Sequence, residues 1–190
     1  ICFCYAPLLH GAMKRVAAVR RRLAVPTIFN ILGPLANPAR ANYQLIGVGR
    51  APLRPLLAEA LAMLGTQRAV VVHGEDGMDE VTLGGATHVS SVSEGRVREL
   101  RWTPEDFGLP RCLREQLTVK GPEHSAAMIR AVLEGQRGPA RDVIVANAAA
   151  ALWTAGRASA IAACVDAAAA ALDRGAAASL LKQLVKATNR

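Results

Sequence analysis

Aromatic residues are scarce: three Phe, two Trp and two Tyr make up 4% of the 190 residues. Proteins that hold single-stranded nucleic acid stack bases on rings beside a basic groove, so this composition argues against such a platform. No apolar run reaches the roughly 18 residues that a membrane-spanning helix needs. Cysteine is sparse as well. Cys2 and Cys4 lie two apart, but Cys112 and Cys164 stand alone, so no second close pair completes a tetrahedral zinc set. Reduced, core-type thiols in a cytosolic protein are the expectation. A secretion signal is not visible, because the basic residues follow the apolar start rather than precede it. Neither a Walker nor a Rossmann glycine loop occurs, and no serine sits in a G-x-S-x-G elbow. His73, His88 and His124 lack ligand-like spacing, and no internal repeat is found.

Acid is also missing from one region. The first fifty residues carry Lys14, Arg15, Arg20, Arg21, Arg22, Arg40 and Arg50 and no acidic residue. Residues 51–100 reverse this with seven acids against four bases, and Glu75, Asp76, Asp79 and Glu80 cluster in one stretch. The net charge is +8, and 52% hydrophobic with 20% charged residues is a globular composition. A polyanion spread over the surface would need no acidic patch. A small phosphorylated substrate carried with a divalent metal would use both regions: cations for the phosphates, carboxylates for the metal. Ordinary solvated charge is the alternative. The length fits one domain. Because the first residue is Ile1 and not Met, a piece of a longer chain is expected.

The pattern predicts a parallel α/β unit with a covering layer of helices. Residues 1–5 read as a short buried strand and 8–23 as a helix, with Leu9, Met13, Val16 and Leu23 on one stripe. Arg20 falls about 20° from Leu9 around the axis of that helix. A guanidinium on an apolar stripe calls for an anionic or carbonyl partner. Residues 27–32 read as a short helical or extended run, and 33–41 as a turn-rich loop. A strand over 43–48, a helix over 52–64 and a near-continuous apolar strand over 68–72 form a parallel strand-helix-strand unit. Strands over 87–92 and 96–102 flank Ser93-Glu94-Gly95 as a hairpin. Helices are expected at about 123–134, 140–154, 159–173 and 176–187. Alanine supplies 15 of the last 40 residues, which suits a closely packed covering layer.

The loop over 73–80, HGEDGMDE, is the strongest candidate site. It follows the C-terminal end of a parallel strand, where open α/β sheets bind ligands. Hard carboxylate oxygens suit Mg²⁺, which commonly takes one or two of them plus substrate phosphates. An acidic turn without function is the other reading. His10 and Arg20 stand about 15 Å apart along the first helix and can line one elongated cleft but not grip one carboxylate. His10 also fits a helix-start histidine bonded to backbone, and Arg20 fits compensation of a helix C-terminus. Trp102 and Trp153 read as core, and Asn147, on the stripe of Ile144, Ala148, Ala151 and Leu152, as a satisfied buried amide.

Two consecutive runs, YAPLLHGAMKRVAAVRRRL and PTIFNILGPLANPARA, resemble the anthranilate phosphoribosyltransferase family. HGEDGMDEVTL resembles that family's acidic metal loop, and TPEDFGLPR and AVLEGQRGPARDVIVANAAAALWTAGRAS resemble its C-terminal part. The resemblance implies an α/β catalytic domain of the nucleoside phosphorylase/phosphoribosyltransferase type, with a mixed, largely parallel sheet flanked by helices, lacking its N-terminal part and the small N-terminal helical domain. It also implies a cytoplasmic homodimer that uses Mg²⁺, phosphoribosyl pyrophosphate and anthranilate. By the same resemblance Arg20 meets the anthranilate carboxylate, Ala6, Pro7 and His10 line the anthranilate channel, and Asp79 and Glu80 bind magnesium with the pyrophosphate. Gly11 stands where the family usually has proline. The family's glycine-rich phosphoribosyl pyrophosphate loop, its Lys-His-Gly-Asn-Arg segment and its metal-binding serine have no counterpart in the 190 residues, so this segment alone is expected to be inactive. A pyrimidine-nucleoside phosphorylase, an inactive relative and a nucleic-acid-binding relative of the same fold are the alternatives.

Overall fold

The computed structural model describes residues 11, 19, 22, 23, 25, 27, 28, 31–37 and 39–189. The chain divides into two compact units, Ile1–Asn42 and Tyr43–Arg190. In the first unit Gly11, Val19, Arg22 and Leu23 are helical, as the reading of 8–23 requires. The expected strand over 1–5 and the stripe positions Leu9, Met13, Val16 and Arg20 lie outside the described residues. The loop over 33–41 is turn-rich as expected. It holds a single 3-10 turn, Pro34–Ala36, after which the Asn37 side chain accepts the Ala39 N–H at 2.9 Å.

The second unit begins with β1 (Tyr43–Gly47), α1 (Leu53–Met63) and β2 (Arg68–Gly74). β1 and β2 are parallel, with Tyr43 opposite Arg68 and Gly47 opposite Val72. β3 (Thr87–Ser93) and β4 (Arg96–Trp102) then add antiparallel, giving the order β1-β2-β3-β4. Among the described strands the parallel character is therefore confined to the first pair. Glu94 and Gly95 both take positive φ, 53° and 69°, between the paired Ser93 and Arg96. Two left-handed residues match the right-handed twist of the strands they join, which is why Gly95 is needed there. Four helices follow: α2 (Pro122–Leu133), α3 (Pro139–Thr154), α4 (Ile161–Asp173) and α5 (Ala176–Thr188).

Both faces of β2 are covered, which explains its unbroken apolar run. Successive side chains on a strand point to opposite faces. Val70 and Val72 enter a core with Val89, Trp102 and the α3 residues Val143, Ala146, Ala149 and Ala150. Ala69 and Val71 face the other way, where α1 packs on β2 and β3 with Leu57, Ala58 and Leu61 buried. Arg54 anchors α1 to the sheet by donating to Ser90 and Glu99. The alanines of α3 let its backbone lie close to both the sheet and α4. Trp102 is buried as expected, edge-on to Phe107 and Trp153 at centroid distances of 5.8 and 5.5 Å. Cys112 and Cys164 are buried free thiols, and Cys2 and Cys4 fall outside the described residues. No described helix is long and apolar enough to cross a membrane.

The start of α3 is fixed by charge. Arg141 is 5% exposed and donates to Asp173, at the end of α4, at 2.9 Å, while Asp142 stands 3.9 Å away. Arg137 reaches the same Asp173 carboxylate at 3.3 Å. The hydrogen bond from Arg141, aided by Arg137, outweighs partial burial and holds Asp173 below the usual aspartate range. A depressed carboxyl stabilises the fold above its unfolded pKa and loses that contribution as pH falls through the folded value. Asp173→Asn should therefore lower the melting temperature at neutral pH, and the gap to the parent protein should close as pH drops below about 3.9. A pH series of thermal unfolding checks this; a gap that is constant down to pH 2 would contradict it.

Candidate functional site

The segment joining β2 to β3 contains all four acids of the expected site, and the structure divides them into two kinds. Glu75 accepts the Ala86 N–H at 3.0 Å and lies 3.5 Å from His88 and 3.6 Å from Arg101. The Ala86 hydrogen bond, with Arg101 and His88, outweighs partial burial and holds its pKa below the usual value. Asp76 accepts from the Met78 N–H at 3.2 Å and the Thr82 hydroxyl at 2.5 Å. These two carboxylates are spent on closing the loop. Gly77, at φ 85°, closes the tight turn that contains both, with its N–H on the Gly74 carbonyl at 2.9 Å.

Asp79 and Glu80 are the other kind. Neither makes a hydrogen bond or ion pair among the described residues, and both are exposed. Protein atoms crowding Glu80, followed by the neighbouring charge of Asp79, raise its pKa. The pair is thus a concentration of negative charge that no cation among the described residues balances.

The main chain on either side of the pair is tightly held. Val81, Thr82 and Leu83 run directly into the core, each 1% exposed or less. The Thr82 N–H donates to the Thr87 hydroxyl at 3.0 Å, and the Cys112 N–H donates to the Leu83 carbonyl at 3.1 Å. From α3, the Asn147 amide accepts the Val81 N–H and donates to the Val81 carbonyl, both at 2.9 Å. On the other side the Asp79 carbonyl rests on Gly47 at the end of β1, where a Cβ would overlap that oxygen. Gly47 has no positive φ; glycine is required there because another backbone occupies the space of a side chain. His73 ties the two strand ends together, with Nδ1 2.7 Å from the Val48 carbonyl oxygen.

Of the residues singled out from sequence, Asp79 and Glu80 are thus placed side by side at the carboxyl end of the parallel pair. Ala6, Pro7, His10 and Arg20 lie outside the described residues. Asn147 is a satisfied amide, as expected, but its partner is the acidic segment itself. Gly47 went unnoticed: a glycine at a strand end carries no signal of which distant backbone will approach it. No group of three His, Cys, Asp or Glu side chains surrounds a common point among the described residues. Two adjacent, unpaired carboxylates still fit Mg²⁺, which binds through one or two carboxylates and completes its shell with water and phosphate oxygens.

Residues 1–178 match the family model described as glycosyl transferase family, a/b domain. The chain belongs to that family. The anthranilate phosphoribosyltransferase of Azorhizobium caulinodans is 51% identical over 187 residues, spanning 98% of this chain and 54% of the relative. A crystal structure of anthranilate phosphoribosyltransferase from Thermus thermophilus superposes with a TM-score of 0.88 at 40% identity, covering 97% of this chain and 54% of that one. The Saccharomyces cerevisiae enzyme in complex with PRPP and Mg superposes with a TM-score of 0.82 at 26% identity, covering 93% and 51%. The chain therefore spans about half the length of the relatives it matches. The family resemblance and the mixed α/β architecture read from the sequence both hold.

Gly47→Ala should force the Asp79 backbone away from β1. Overpacking of a close backbone contact costs about 1–3 kcal/mol. Denaturant unfolding of the variant should show a loss of that size; an unchanged midpoint would mean that Asp79 does not need this contact.

Proposed function

We propose that this chain provides the metal-binding carboxylates and the anthranilate site of an enzyme that transfers a phosphoribosyl group from phosphoribosyl pyrophosphate to anthranilate. The products are phosphoribosylanthranilate and pyrophosphate, and the reaction belongs to tryptophan biosynthesis. One observation carries the reading: an unpaired Asp79–Glu80 couple, clamped at the carboxyl end of the parallel strands, in a chain about half identical to anthranilate phosphoribosyltransferases. The relative from yeast is described with PRPP and Mg, the ligands such a couple would serve.

The transfer breaks the bond from the anomeric carbon to a pyrophosphate oxygen, which leaves with the electron pair. The amine nitrogen of anthranilate forms the new bond and gives up a proton. Asp79 and Glu80 would hold Mg²⁺, whose charge would offset the charge that develops on the diphosphate. The two carboxylates fix where the diphosphate sits. Arg20 pairs with the anthranilate carboxylate, and His10, Ala6 and Pro7 flank the ring. No side chain of this chain acts as a nucleophile. Gly11, in place of the family's usual proline, removes a preset φ from the helix start and no ligand. The working protein is a cytoplasmic homodimer. The 190-residue segment contains no glycine-rich phosphate loop, and by itself it is expected to show no transferase activity.

In the complete chain, Arg20→Ala should raise the KM for anthranilate by about ten- to a hundredfold, the worth of one charge-assisted pair, and leave that for phosphoribosyl pyrophosphate nearly unchanged. Steady-state kinetics decide it: equal effects on both substrates would remove Arg20 from the anthranilate site. Asp79→Asn combined with Glu80→Gln should raise the Mg²⁺ concentration for half-maximal activity by at least about tenfold. An unchanged magnesium requirement would take the couple out of the metal site.

A further inference from the structure

We infer that Asn147 is a positioning residue for the Asp79–Glu80 couple: by gripping the main chain at Val81 it sets the geometry in which the two carboxylates take a divalent cation together with a diphosphate. The inference rests on the reading of the couple as cation ligands. Asn147 lies in the middle of α3, 66 residues from its partner in sequence. Its Oδ1 accepts the Val81 N–H at 2.9 Å, and its Nδ2 donates to the Val81 carbonyl at 2.9 Å and to the Val143 carbonyl at 3.0 Å. Both groups on the nitrogen side are carbonyl oxygens, so only one orientation of the amide satisfies all three bonds.

The location of the grip matters more than its strength. The Val81 N–H belongs to the peptide that joins Glu80 to Val81, so gripping it anchors the main chain directly after Glu80 and limits how far the Glu80 Cα can shift. Asp79 is held one residue earlier by the fit of its carbonyl on Gly47. The couple is thus clamped from α3 on one side and from β1 on the other, and neither clamp uses a carboxylate oxygen. Both carboxylates remain free for a ligand while their backbone cannot swing apart. Side chains that orient metal ligands without touching the metal typically govern affinity by about 10- to 100-fold.

The test uses the complete chain, Mn²⁺ as a paramagnetic probe for the cation and inorganic pyrophosphate for the diphosphate. Asn147→Ala removes the grip. Asn147→Asp keeps the size and the acceptor for the Val81 N–H but turns an oxygen toward two carbonyls, and it serves if the alanine variant does not fold. Val145→Ala, a cavity in the same helix at a side chain that is fully buried, controls for loss of stability alone. Mn²⁺ binding in the presence of pyrophosphate, read by electron paramagnetic resonance, should weaken about 10- to 100-fold in either Asn147 variant and remain near the parent value in Val145→Ala. The KM for anthranilate at saturating Mg²⁺ should stay unchanged. Unaltered Mn²⁺ affinity in a folded Asn147 variant, or a loss no larger than that of Val145→Ala, would overturn the inference. The double variant Asp79→Asn with Glu80→Gln, measured alongside, separates the two levels. If it loses Mn²⁺ binding and the Asn147 variants do not, only the role of Asn147 falls; if it too binds normally, the reading of the couple falls with it.

Discussion

Two carboxylates on adjacent residues repel one another, and a free chain relieves that repulsion by rotating them apart. Keeping Asp79 and Glu80 together therefore requires a backbone that cannot rotate. The structure meets this need with main-chain contacts: Asp79 lies against the one residue type without a side chain, and Val81 is bonded through both of its polar groups by a single amide. A salt bridge to either carboxylate would have relieved the repulsion more simply, but it would have occupied the atoms that the proposed cation would use. The +8 charge of the chain makes the lack of any described basic partner for these two acids more telling.

The remaining architecture supports this arrangement. A parallel β1–β2 pair places two strand ends together, and the His73–Val48 contact joins them. α3 must sit at a definite height along the sheet for Asn147 to reach Val81. Its alanines permit the close approach, and the Arg141–Asp173 hydrogen bond fixes its first turn against the end of α4. Glu75 and Asp76 close the acidic segment from within. Residues of one chemical type, four acids within six positions, thus do two different tasks.

Periodicity made much of the fold legible. The 3.6-residue pattern of α1, the apolar run of β2 and the turn signal at Glu94-Gly95 are local, and the observed elements begin and end within a residue or two of the expected positions. β2 continues two residues further than its apolar run, because His73 and Gly74 pair with His88 and Thr87 although neither is a strong strand former. The acidic cluster was visible, and its family resemblance singled out Asp79 and Glu80. Composition alone could not divide the cluster into structural and free acids, since that division depends on how the segment folds back to bring Thr82 and Ala86 onto Asp76 and Glu75, and on Arg101 reaching over from β4. Gly47 and Asn147 act across long stretches of sequence, where no spacing rule reaches.

β4 ends the described sheet, and no described strand pairs with its far side. Open rims of this kind invite fibrillar self-association with a second copy of the same segment. Arg96 and Arg98 project from one face of this rim and Arg101 from the other, and two such rims brought together would crowd like-signed guanidinium groups. The charge that marks the molecule as basic therefore also works against edge-to-edge pairing of two copies along this border.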